Sequence, residues 1–468
     1  MKVTLHFFSL FCILSLSANG VSAQSQSEPP LDDMVVIRSI YDEALRQQNG
    51  YQWLTELTAI GGRLAGSAEA NKAVAMMAAL ADSLGFDIRF QKVKVPHWER
   101  GTSETAYYLR NGKRYVANAT ALGGSVPTPE EGLLARVVEI NSFAELEAKG
   151  DQLKGNIAFF NIPMDPTFIT TFFAYGQAVK QRWVGAVKAS QYGAKGVVIR
   201  SLSSSINKYP HTGTMTYEGA ENKIPALAIS TWDAERLSDA LAKNPDVQFY
   251  MKINSRWLDS TYSHNLIAEI PGTSKKDEIM LTGGHIDSWD IGDGAHDDGA
   301  GCIHALESVY LLHKLSYKTK RTLRVVLFMN EEFGLNGART YAREAALNNE
   351  KHVVAIESDG GGFSPRGVSI SAHDTLVARI KELRELLEPY GIYQFKQGGS
   401  GADVSQLRNK EKIILMGLRP DSHRYFEVHH SARDVIENVN ARELEMGSAT
   451  LAAMLYLIDK YDITAVKE

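Results

Sequence analysis

Carboxylate and imidazole side chains gather in five short segments of the chain. These are Gly283-Gly284-His285-Ile286-Asp287, Gly294-Ala295-His296-Asp297-Asp298-Gly299, Asn330-Glu331-Glu332-Phe333-Gly334, Glu357-Ser358-Asp359-Gly360-Gly361-Gly362 and His429-His430-Ser431-Ala432-Arg433-Asp434. Brought together, so many carboxylates would repel one another strongly unless something neutralised them. A divalent metal ion is the simplest neutraliser. Nitrogen and oxygen ligands without thiolate suit zinc in a catalytic site that keeps an open position. The glycines beside them let backbone approach closely.

A pair of zinc ions needs a bridging carboxylate and ligands on either flank. Asp297 lies between the His285 and Glu332 segments and is a natural bridge. Glu331 and Glu332 are adjacent and cannot point the same way. One can bind metal while the other takes the proton of an attacking water. Asp287, two residues after His285, can orient that imidazole, and Asp434 can do the same for His430.

The elements that must position these residues are strands with loops at their ends. Residues 266–270, 279–282, 322–329, 353–356 and 413–416 read as strands, several of them continuous apolar runs. Helices are predicted over 300–315, 336–347, 376–387 and 441–461. Apolar strands alternating with helices predict an α/β sheet covered on both faces. Such sheets bind ligands beyond the ends of their strands. Upstream, helical spacing runs from Met34 through Ile37, Ile40, Tyr41 and Leu45, a second helix spans 68–84, and 87–95 alternate like a strand. The texture changes near Gly101. Residues 102–255 carry short β-like runs at 133–140, 156–160 and 197–199 with one helical stretch over 184–192. This predicts an inserted, mainly β domain at 102–255 within a catalytic domain made of 24–101 and 256–468.

The chain has 468 residues, 44% hydrophobic and 22% charged, with a formal charge of −5. That composition suits a soluble globular protein with a sizeable core. No long run of one charge appears, which argues against nucleic acid or an anionic membrane as partner. Residues 1–23 read as an export signal: Lys2, an apolar stretch over 5–16, then Val21-Ser22-Ala23 at the cleavage positions. The apolar stretch is too short to span a bilayer. A secreted or periplasmic protein without a membrane anchor is expected. Cleavage would leave Cys302 as the one cysteine, so no internal disulfide could form.

Longer motifs carry a resemblance. GGRLAGSAEANKAV at 61–74, VPHWERG at 95–101, GGHIDSWD, GAHDDGAG, MNEEFGLNG, ESDGGGF, GGSGAD and YFEVHHSARD occur in order across nearly the whole chain. In them the chain resembles the co-catalytic zinc aminopeptidases and carboxypeptidases of metallopeptidase family 28. The resemblance implies a three-layer α/β/α catalytic domain with a mixed central sheet, and an inserted domain of the protease-associated kind. It implies two zinc ions per chain, one held by His285 and Asp359, the other by Glu332 and His430, with Asp297 shared. His430 is taken over His429 because Ser431 follows it. Glu331 would be general base and then general acid, and the Asp297–Asp298 peptide would be cis. Tyr425 is a candidate donor to the developing oxyanion and Asp403 a candidate substrate contact. Homodimers and hydrolysis of short peptides with a free N-terminus, as dipeptidase or aminopeptidase, are the implied behaviour. Two other readings are a glutaminyl cyclase-like acyltransferase and a receptor-like binding protein. The complete ligand set argues against both.

Overall fold

The computed structural model describes residues 31–407 and 413–464. The expected export signal over 1–23 lies outside them. In chain order the strands are β1 (Asp87–Glu99), β2 (Glu104–Arg110), β3 (Lys113–Val116), β4 (Ala119–Ala121), β5 (Leu133–Ile140), β6 (Ile157–Phe160), β7 (Gly196–Arg200), β8 (Ala226–Ile229) and β9 (Gln248–Ile253). They continue with β10 (Arg256–Ile270), β11 (Lys275–His285), β12 (Arg321–Phe328), β13 (Lys351–Glu357), β14 (Pro365–Ser371), β15 (Gln394–Gln397) and β16 (Ile414–Pro420).

The sheet that carries most of the candidate residues has the order β1-β10-β12-β11-β13-β16-β14-β15. It is mixed: β12, β11, β13 and β16 run parallel, while β1 and β10 at one edge and β14 against β16 run antiparallel. β12 is buried at every residue, as its nearly continuous apolar run demands of a central strand. Alternate side chains serve opposite faces. Leu266, Met280, Val325, Leu327, Val354, Ile356, Ile414 and Met416 join one core, beneath the helices Ala300–Lys314 and Ala441–Lys460. Ile267, Leu281, Val326, Phe328, Ala355 and Leu415 join the other, beneath Asn336–Leu347. Helices therefore cover both faces.

Between β1 and β10, which pair from Asp87↔Glu269 to Glu99↔Arg256, the chain makes an excursion. It builds a second sheet in the order β3-β2-β9-β5-β6-β7-β8-β4. Helices Thr171–Ala178, Lys180–Ser190 and Thr231–Lys243 lie among these strands, so the region is α/β rather than mainly β. The first of these escapes the sequence pattern because Phe172 and Phe173 point outward while Thr171, Ala174 and Ala178 are the buried residues. The two sheets are fastened together by Arg100. It binds Asp290 through Nη2 at 2.6 Å and the Ala121 carbonyl through Nη1 at 2.7 Å. Trp98 donates to the Ser125 carbonyl at 3.1 Å and shares a core with Trp289.

Candidate metal centre

His285 is the last residue of β11, where the parallel strands end. Its Nδ1 faces the Asp287 carbonyl at 2.9 Å, which commits that nitrogen as donor and turns Nε2 into the cleft. The Asp287 carboxylate does not carry this bond, standing 3.8 Å from Nδ1. It accepts instead from the backbone N–H groups of Asn330, Glu331 and Glu332 at 2.7, 3.1 and 3.4 Å. Asp287 thus couples the end of β11 to the loop after β12.

Asp297 sits at the middle of the site, in a short irregular turn just before the helix from Ala300. The Asp297–Asp298 peptide is cis. Its two carboxylate oxygens face different partners. Oδ1 lies 3.2 Å from His285 Nε2, which is itself 3.7 Å from Asp359 Oδ1. Oδ2 lies 3.1 Å from His430 Nε2, which is 3.3 Å from Glu332 Oε2. Asp298 has a scaffolding task, accepting from the backbone N–H groups of His285 and Gly301, both at 3.0 Å. Asp434 holds the turn itself, accepting from His296 N at 2.6 Å and Asp297 N at 3.1 Å rather than from His430.

The histidine doublet presents both rings. His429 and His430 stack at 3.6 Å, and His429 Nε2 also faces Asp297 Oδ2, at 3.6 Å. His430 stands closer and meets Glu332 as well. Its backbone adopts φ 57°, a left-handed turn that aims two successive rings into one cleft. Its Nδ1 is 3.4 Å from the Thr212 carbonyl and 3.3 Å from Arg182 Nη1, both on the second-sheet side. Arg182 also donates to Tyr175 at 2.7 Å, and both residues line the cleft. Sequence reasoning missed this pair, since a lone arginine far from the ligand motifs carries no local signal.

The cleft holds about 530 Å³ and is bordered by Asp297, Glu331, Glu332, Asp359, Tyr425 and His430. Tyr425 is buried there beside His429, at 5.0 Å between rings. Asp403 is buried too, but it does not border the cleft. Both its carboxylate oxygens lack partners among the described residues, and it stands against Glu357.

The electrostatics ask for a cation. Burial works to lower the His430 pKa, yet Glu332 and Asp297 outweigh it and push it up to about 10. His285 is likewise raised, burial being overcome by its bonds to Asp297 and Asp359. Glu331 is pushed well up by burial, opposed by His285 and reinforced by Asp359 and Glu332. With the protein's own groups alone, protons must neutralise the cluster. Glu332 Oε1 is enclosed without a partner among the described residues. The donor atoms of His285, Asp297 and Asp359 all lie within 4.8 Å of one another, as do those of Asp297, His429 and His430. Nitrogen and oxygen donors without thiolate fit zinc.

Comparison with known proteins agrees with the resemblance read from the motifs. A model of peptidase family M28 matches residues 265–455. Carboxypeptidase Q of Homo sapiens is 31% identical over 463 residues, 97% of this chain and 95% of that one. An aminopeptidase of Bacillus subtilis (strain 168) is 25% identical, covering 94% of this chain and 91% of that one. The crystal structure of a peptidase M28 precursor from Shewanella amazonensis SB2B is 34% identical and superposes with a TM-score of 0.87, over 93% of this chain and 98% of that one. A zinc aminopeptidase from Bacillus subtilis shares the fold at 22% identity and a TM-score of 0.61, over 87% of this chain and 94% of that one. The chain belongs to peptidase family M28.

Proposed function

We propose that the protein is an exported exopeptidase that uses two zinc ions to hydrolyse short peptides with a free N-terminus. The observation that carries this is Asp297, whose two oxygens serve two separate ligand groups. In this reading His285 and Asp359 hold one ion, Glu332 and His430 hold the other, and Asp297 is shared. Bound zinc supplies an acidified water and a polarised scissile carbonyl.

The rest falls to side chains. Glu331 accepts the proton of the attacking water and returns it to the leaving amine. It borders the cleft beside Glu332 and Asp359, and burial raises its pKa, which suits a carboxyl that must hold a proton during the reaction. Tyr425 is offered to the developing oxyanion, supported by its place on the cleft wall. Asp287 and Asp434 act through backbone, holding Glu331, Glu332 and Asp297 in position. The excursion over 102–255 serves as a protease-associated roof, supported by Arg182 and Tyr175 reaching the cleft from it. A free α-amine is favoured because the cleft is rich in carboxylate. Carboxypeptidase Q and aminopeptidase relatives support a peptide substrate. Signal cleavage after residue 23 and a homodimer complete the reading.

The test is hydrolysis of a panel of free, N-acetylated and C-amidated dipeptides. Cleavage of free and amidated forms, stopped by chelation and restored by zinc, is expected. Cleavage restricted to the N-acetylated forms would overturn the free-amine requirement. Pyroglutamate formation from an N-terminal Gln peptide without hydrolysis would overturn peptidase action.

A further inference from the structure

β16 ends near the metal centre with a charge that has no counterpart among the described residues. Arg419 is half-buried, and its Nε is enclosed without a hydrogen-bond partner among the described residues. The nearest acid in sequence, Asp421, is engaged elsewhere, 3.5 Å from Arg366 Nη2. Burial lowers the Arg419 pKa, with no carboxylate among the described residues acting against it. A guanidinium partly removed from water and left unpaired is unfavourable unless something arrives to complete it.

The surroundings say where that something sits. Arg419 borders a pocket of about 340 Å³. Asp359 and Phe172 border both this pocket and the metal cleft, so the two adjoin. Strand register orders the charges. Glu357 of β13 pairs with Gly417 of β16, and Gly417 pairs with Ser369 of β14. Arg419 stands two residues further along β16, opposite Gly367, on the same face of the sheet and about 7 Å onward. Glu357 also pairs with Gly283 of β11, so two residues onward Arg419 stands level with His285, two strands across the sheet. Glu357 Oε2 accepts from the backbone N–H of Val404 at 2.7 Å, while its Oε1 has no partner among the described residues. A ligand filling this pocket meets the Asp359 carboxylate on one side and, at β16, a guanidinium whose Nε has no partner among the described residues.

Resting on the exopeptidase reading above, we propose that Arg419 receives a carboxylate of the substrate and sets a preference for peptides that carry one close to the scissile bond. A planar guanidinium with free donors matches a carboxylate by two parallel hydrogen bonds. The carboxylate has two possible sources, the acidic side chain of an N-terminal residue or the C-terminus of a dipeptide.

Two substrate pairs separate them: Glu-Ala-amide against Gln-Ala-amide, and Ala-Ala against Ala-Ala-amide. The quantity read is the ratio of kcat/KM within each pair, for the zinc-loaded wild type, Arg419→Gln and Arg419→Glu. In one pair the wild type is expected to favour the charged member by about 10- to 100-fold. Arg419→Gln collapses that ratio, and Arg419→Glu reverses it, a result that partial unfolding cannot produce. Collapse in the first pair assigns the side chain, and collapse in the second assigns the C-terminus. Ratios that stay the same in both pairs overturn the role of Arg419 while leaving the peptidase reading intact. Absence of hydrolysis of every peptide by the wild type would sink that reading and this proposal with it.

Discussion

The two ends of the same parallel strands handle buried charge in opposite ways. At the N-terminal end of β11 and β12, Arg321 is fully buried and fully answered. Its Nε donates to Glu278 at 2.7 Å, and Nη1 reaches Asp459 at 3.3 Å. Nη2 meets Asp462 and donates to Thr464 at 2.9 Å. Lys275 adds a second cation 2.7 Å from Asp462. At the C-terminal end, Asp297, Glu332 and Asp359 meet imidazoles, with Glu332 Oε1 left without a partner among the described residues. A structural cluster completes itself from the chain. A reacting cluster leaves a deficit that something from outside fills.

The comparison can be broken most severely at Asp297. Asp297→Ala removes a ligand of both proposed ions, so zinc should fall well below two per chain by elemental analysis. Turnover should drop beyond the roughly 10⁴-fold ceiling of a single proton-transfer group. Retention of two zinc ions would show that Asp297 is not shared. Glu331→Gln takes away a proton carrier and no ligand. Zinc content should hold while kcat falls about 10²- to 10⁴-fold. Loss of zinc in that variant, with zinc retained in Glu332→Gln, would exchange the two roles.

At the opposite end, Arg321→Met leaves the fully buried Asp459 without its side-chain cation, while Lys351 still meets Glu278 and Lys275 still meets Asp462. Stability should fall by about 3–5 kcal/mol in denaturant unfolding. Activity per folded chain should stay within about twofold, because the site lies at the other end of the strands. A large loss of kcat with normal stability would contradict the separation.

A smaller effect sharpens the comparison with a cluster that has neither cation nor metal donors. Glu307 and Glu445 are buried together, receiving the backbone N–H groups of Gly50 and Tyr51. Burial, with Glu307 beside it, pushes the Glu445 pKa up to about 10. Unfolded, it would titrate near 4.3. Between those values the folded state holds the extra proton. Stability from this group is therefore complete below about pH 4.3 and declines as pH rises toward 10, by at most about 1.4 kcal/mol per pH unit. Glu445→Gln should flatten that slope in unfolding measured from pH 5 to 9. An unchanged slope would mean the pair shares no proton.

Much of the central sheet is legible in the sequence because its signals are local. Continuous apolar runs predict strands at 279–282, 322–329 and 353–356, and β11, β12 and β13 contain nearly all of these residues. The helix predicted over 336–347 matches Asn336–Leu347. β14 escapes because Pro365 and Gly367 read as breakers, although Val368 and Ile370 are fully buried. The ligand motifs stand out for a similar reason, each being an acid or histidine cluster, with His285, Glu332 and Asp359 next to strand ends. What stays hidden depends on distant contact. Arg182 reaches His430 across 248 positions, and Asp287 turns from its neighbour His285 to the backbone 43 to 45 residues on. Spacing alone cannot express which of two nearby groups a carboxylate chooses.

Titration of zinc into chelated protein, reading bound metal and dipeptide turnover together, tests the central claim most directly. Two ions bound per chain, with full activity reached only as the second binds, is the predicted result. Full activity at one equivalent, or turnover undiminished after complete removal of metal, would contradict a shared Asp297 at the heart of the site.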